Sequence, residues 1–108
     1  MEQTLAILGQ EDLAATTLTD TYEVPPATQA AIAAVVFCNR NGAARTIRLS
    51  VAKGGAADDP KQYLSYGKTI DPNDSLQFGP FSLGAGDVIR AWASAIDVSV
   101  NVFGAEEA

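Results

Sequence analysis

The sequence predicts an all-β protein: an antiparallel β-sandwich, jelly-roll-like, with about eight strands in a single domain over residues 1–108. Three observations predict it. Proline, glycine and small polar residues interrupt the chain at short intervals. The segments between them are rich in Val, Ile, Thr and aromatic residues, which suit a pleated, half-buried surface. Several of those segments alternate apolar and polar side chains with period two, as strands with one face in a core do.

The breaks fall at residues 9–12, at Pro25-Pro26, and at 39–42, 54–60, 71–74, 84–86 and 95–97. They delimit strands at 4–8, 17–24, 30–38, 45–52, 62–70, 75–82, 87–94 and 98–104. In the first, Leu5 and Ile7 point one way and Ala6 and Leu8 the other, so both faces are apolar. Residues 1–12 therefore read as an N-terminal arm or edge strand, hinged at Gly9-Gln10-Glu11-Asp12. A two-sided apolar edge invites aggregation unless it is covered. Its own sandwich or a neighbouring subunit, through strand addition, is expected to cover it.

A helix over residues 27–38 is the rival reading there, because alanine is the best helix former and Thr28 is a candidate cap. Ile32, Val35, Val36 and Phe37 favour a strand. Register supports the strand. A two-residue turn at Asn41-Gly42 pairs Val36 with Ile47, Ala34 with Leu49 and Ile32 with Val51, leaving Phe37, Val35, Arg48 and Ser50 on the other face. A tight turn at Ala95-Ile96 likewise pairs Ala93 with Val98, Ala91 with Val100 and Ile89 with Val102, with Trp92, Arg90 and Phe103 opposite. A slip of one residue would mix the faces in both hairpins. The loop at 53–60 is long enough to cross between sheets.

Charge and composition exclude several functions. Hydrophobic residues make up 47% and charged residues 19%, too apolar a balance for a disordered chain. With 7 Lys+Arg against 13 Asp+Glu the net charge is -6, which opposes binding to nucleic acid or to an anionic membrane. There is no His and a single Cys, Cys38, so a histidine base, an intrachain disulfide and a cysteine zinc cluster are all ruled out. The N-terminus has no basic region like that of a signal peptide. The longest apolar run, residues 30–38, is far short of the roughly 20 residues that cross a bilayer. A soluble protein made in the cytosol is expected.

Candidate chemistry is sparse. Asp71-Pro72-Asn73-Asp74-Ser75 begins like a calcium loop, but Leu76 and Ser82 stand where Gly and Glu are needed, so it reads as a polar turn. The glycines at 54–55 and 84–86 lack both the P-loop and the dinucleotide fingerprint. Cys38, at core parity and without a base, reads as a small buried thiol. The pairs Asp58-Asp59 and Glu106-Glu107 read as solvated charges rather than a glycosidase dyad. No catalytic, metal or cofactor residues are assigned, and an enzyme such as a small hydrolase is the remotest reading. Tyr63, Tyr66 and Trp92 suit the core, a protein interface or stacking on a sugar. With Leu5, Ile7 and Leu8 they form the candidate interface.

Leu8-Gly9-Gln10, Ala14-Ala15-Thr16-Thr17-Leu18-Thr19 and Tyr22-Glu23-Val24-Pro25 resemble small virion structural proteins of tailed bacteriophages. So do Val35-Val36-Phe37-Cys38-Asn39-Arg40, Lys61-Gln62-Tyr63-Leu64-Ser65-Tyr66, and the segment from Ala85-Gly86-Asp87-Val88-Ile89 to Asn101-Val102-Phe103-Gly104. The resemblance implies a β-sandwich located in the virion, most of all an oligomeric capsid decoration protein. A neck, tail or fibre-associated component is the alternative, and a carbohydrate-binding module the alternative of another class. Implied partners are further copies of the chain, as a homotrimer, and other virion proteins such as the major capsid or tail proteins.

Overall fold

A computed structural model describes residues 4–108. Nine strands form among the described residues: β1 (Thr4–Asp12), β2 (Thr19–Glu23), β3 (Gln29–Asn39), β4 (Arg45–Ala52), β5 (Tyr63–Ile70), β6 (Ser75–Phe78), β7 (Phe81–Leu83), β8 (Val88–Ala93) and β9 (Val98–Glu107). One sheet has the order β1-β9-β3-β6, with β7 also on β3; the other has the order β2-β8-β4-β5. Every ladder between these strands is antiparallel. The pairings are nested: β4 with β5, β3 with β6 and β7, β2 with β8, and β1 with β9. The chain is thus one long hairpin rolled into two sheets, the jelly-roll arrangement expected from the sequence.

The expected hairpins do not form. Strands β3 and β4 lie in different sheets, as do β8 and β9. Residues 40–44 and 94–97 are therefore crossings between sheets. The segment expected to cross, residues 53–60, instead lies in the connection 53–62 that joins β4 to β5 within one sheet through two short 3-10 turns, Lys53–Gly55 and Pro60–Gln62. The core-facing residues expected on β4, β8 and β9 survive this correction, although Ser50 and Val88, expected on the opposite faces, are buried as well. Ile47 and Leu49 on β4, Ile89, Ala91 and Ala93 on β8, and Val98, Val100 and Val102 on β9 are all buried in one core. Alternation reports which face of a strand is buried, not which strand lies beside it. An arch between two sheets and a hairpin within one present the same pattern.

Strand β3 departs from strict alternation. Its register with β9 shifts between Ile32 and Ala34, so Ala33 is a bulge. Ala30 and Ile32 are buried before it, and Val35, Phe37 and Asn39 after it. Val35 and Phe37, expected on the solvent-tolerant face, are core residues, while Val36 is only half-buried. Cys38 shares the parity of Val36 and is half-exposed, so it is not the buried core thiol expected. Neighbouring strands crowd the bulge. A Cβ on Gly104 would lie 2.3 Å from the Ala31 carbonyl oxygen, and one on Gly79 would lie 2.9 Å from that of Ala33. Gly79-Pro80 also splits the strand expected at 75–82 into β6 and β7, since proline cannot donate to a ladder.

The arm expected at the N-terminus is a continuous edge strand. Gly9 to Asp12 pair with Val102 to Ser99, so they form no hinge. Gly9 is needed for a different reason: a Cβ there would lie 2.4 Å from the Thr21 carbonyl oxygen on β2. The two sheets are also joined by polar contacts. The Tyr22 hydroxyl on β2 donates to the Glu106 carboxylate on β9. Asn39, fully buried, donates from Nδ2 to the carbonyls of Ala43 (2.9 Å), Ile70 (3.2 Å) and Asp71 (3.2 Å). Its Oδ1 accepts from the Asn41 backbone N–H at 3.0 Å. Residues 71–75 make the polar turn expected of them, with Asn73 at positive φ and the Asp74 N–H donating to the Asp71 carbonyl.

Candidate functional site

The structure places five of the six candidate residues on two surfaces and turns the sixth, Leu8, toward the core. Leu5 and Ile7 lie on the outer face of the β1-β9-β3-β6 sheet, 77% and 56% exposed. In register, Leu5 stands beside Ala105, Ala105 beside Ala31, and Ala31 beside Ser82. In the next outward-facing row Ile7 stands beside Phe103, itself 37% exposed. Ala31 and Ala33 are exposed there too. With Pro80 and Phe81 they line a shallow depression of about 350 Å³. Farther along the same face the character changes. Gln10, Asn101 and Gln77 form one row with Val36, and Asp12, Ser99 and Ser75 form the next with Cys38. Arg40 pairs with Asp12 at that end. One half of the face is apolar and the other polar.

Leu8 does not belong to this surface. It falls where the β1–β9 register shifts, between Ile7 and Gly9, and packs against the core. The bulge turns it inward.

Tyr63, Tyr66 and Trp92 come together on the outer face of the opposite sheet. Arg48 on β4 is the cross-strand partner of Tyr66 on β5 and of Trp92 on β8. Its guanidinium carbon lies 4.1 Å from the Tyr66 ring centroid and 3.9 Å from the Trp92 centroid, so the cation sits over both rings. Tyr63 meets Tyr66 edge to face, with centroids 5.0 Å apart. Trp92 is thus an outer-face residue rather than a filler of the core. Residues 53–62 fold back over this sheet. Arg90 fastens them, donating to the carbonyls of Ala56 (2.8 Å) and Gly55 (3.3 Å), and also pairs with Asp20 at 2.9 Å. The fold-back brings Asp58 and Pro60 beside the aromatic cluster, where with Arg48, Tyr63 and Tyr66 they line a groove of about 390 Å³. Burial, then the hydrogen bond to Asp58, hold the Tyr63 phenol above its ordinary pKa. Burial does the same for Tyr22, reinforced by its hydrogen bond to Glu106.

Sequence reasoning missed Arg48, Asp58, Pro60 and Phe103 as surface partners. Arg48 was legible as outward-facing, but the Asn41-Gly42 hairpin set it beside Val35 rather than Tyr66. Pairing residues 45–52 with 62–70 would have found the ladder. No family model matches the chain, and no curated protein or solved structure matches it.

Proposed function

We propose that the protein is a non-enzymatic structural component of a phage virion, a capsid decoration protein that self-associates through the apolar half of its β1-β9-β3-β6 face. The observation that carries the reading is that half-face itself. Leu5 and Ile7 are exposed on β1, the edge strand of its sheet, and the exposed Phe103, Ala31 and Ala33 extend the apolar surface inward. An apolar surface rimmed by polar residues is characteristic of an association site. Small side chains let a neighbouring sheet or strand approach closely. The jelly roll is also an architecture used by viral capsid proteins. The trimeric state and the placement on the capsid follow from the resemblance to phage structural proteins.

Two measurements test the proposal. Light scattering of the intact chain is expected to give a trimer, and Leu5→Lys combined with Ile7→Lys is expected to give a monomer with an unchanged far-ultraviolet dichroism spectrum. A chain that remains monomeric at high micromolar concentration removes the self-association. Mass spectrometry of gradient-purified particles from the source phage is expected to find the chain in many copies, and its absence from them removes the virion role.

A further inference from the structure

We infer that the groove beside Arg48 binds an acidic saccharide, with the sugar carboxylate on the edge of the Arg48 guanidinium. This site lies on the sheet opposite the proposed association surface and does not depend on it. Three features converge. The first is an unpaired cation. Arg48 makes no ion pair with a described carboxylate, and its buried Nε has no hydrogen-bond partner among the described residues. A ring from each neighbouring strand flanks the guanidinium, which lines the groove and carries paired N–H donors in the geometry that a carboxylate accepts.

The second feature is Asp58, which lines the same groove as Tyr63. An ionised carboxylate only accepts hydrogen bonds, so it calls for donors on the ligand. The third is the ring surface: Tyr66 is 65% exposed, and Tyr63 beside it is half-buried. An apolar ring surface suits a C–H face. A uronic acid combines an acid group for Arg48, hydroxyl donors for Asp58 and a C–H face for the tyrosines in one ring. A simple carboxylate supplies only the first. The groove, about 390 Å³, lies within the roughly 300–1,000 Å³ usual for small-molecule clefts. Buried polar atoms without partners also gather here: Ser50, whose Oγ is one, pairs with Tyr63, and Gln62, whose Oε1 is another, precedes it.

The test uses the full chain labelled with ¹⁵N and three probes: trigalacturonic acid, its methyl ester, and an acetylated glutamate tripeptide. Trigalacturonic acid is expected to shift the Trp92 indole N–H and the Arg48 side-chain signals, saturating at millimolar concentration, while the ester binds about tenfold more weakly or not at all. Arg48→Lys is expected to weaken binding of the acid about tenfold while leaving the amide spectrum dispersed, because a point charge loses the paired geometry. Arg48→Met serves as a second variant should the first unfold. No shift with trigalacturonic acid up to about 10 mM overturns the inference. Equal binding of acid and ester overturns the role of Arg48. Binding of the peptide in preference to the saccharide overturns the ligand class and makes the groove a protein-docking site.

Discussion

Replacing Asn39 perturbs a polar contact that joins the two sheets, and the structure sets the size of the effect. The side chain is fully buried at the end of β3, where the chain leaves one sheet for the other. The two N–H donors of its amide are shared among three carbonyls, those of Ala43, Ile70 and Asp71, and its oxygen accepts from the Asn41 N–H. A hydrogen bond of this kind contributes about 1 kcal/mol net, and a buried group left without a partner costs about 1–3 kcal/mol. Ala43 and Asp71 are exposed residues whose carbonyls can regain water, which lowers the sum. Asn39→Ala is therefore expected to destabilise by about 2–4 kcal/mol, a large share of the roughly 5–15 kcal/mol of a small domain. Urea unfolding followed by Trp92 fluorescence reads it as a lower midpoint with an unchanged slope.

Asn39→Asp separates the role of the amide from that of side-chain volume. At neutral pH it turns a carboxylate toward three carbonyl oxygens, so it is expected to be less stable than Asn39→Ala. Burial and repulsion raise the pKa of the introduced acid above its unfolded value near 3.9. Its stability deficit is therefore smallest below that value and grows as pH rises through the folded pKa. If Asn39→Ala loses less than about 0.5 kcal/mol, or Asn39→Asp is as stable as the parent at pH 7, the amide is not what joins the sheets.

Two further outcomes follow from the fold. Gly104→Ala is expected to cost about 1–3 kcal/mol or more by thermal unfolding, because the added carbon meets the Ala31 carbonyl, whereas Gly42→Ala, which meets nothing within 4 Å, is expected to be tolerated; equal effects would mean that β3 and β9 are not so close at the bulge. The raised pKa of Tyr22 makes its stabilising effect complete below the unfolded value near 10 and progressively lost as pH rises above it, so Tyr22→Phe is expected to lose stability near neutrality yet decline less steeply in alkali. Parallel alkaline curves for parent and variant would contradict that link.

Strand locations were legible because turn residues and β-branched runs act locally. The composition of residues 45–52 predicts a strand by itself, and β4 occupies that span. The core-facing residues of β4, β8 and β9 were legible too, since alternation is a property of one strand. The bulge at Ala33 was not, because nothing between Gln29 and Asn39 interrupts the apolar run and the extra residue is accommodated by the approach of Gly79 and Gly104 from neighbouring strands. Tyr63, Tyr66 and Trp92 could be named as candidates from residue type alone. That they share one surface around Arg48, while Leu5 and Ile7 lie on the other, depended on which strands are neighbours.

By itself, then, the sequence determined an all-β sandwich, the approximate limits of its strands and the core-facing residues of β4, β8 and β9, because these rest on backbone propensity and a two-residue period. Tertiary structure decided sheet membership. Short loops such as residues 40–44 and 94–97 are as compatible with an arch as with a hairpin, and the choice rests on ladders formed between distant segments, β1 with β9 and β2 with β8. Those long-range ladders put Arg48 between two rings and Leu5 beside Ala105, and no local period encodes them.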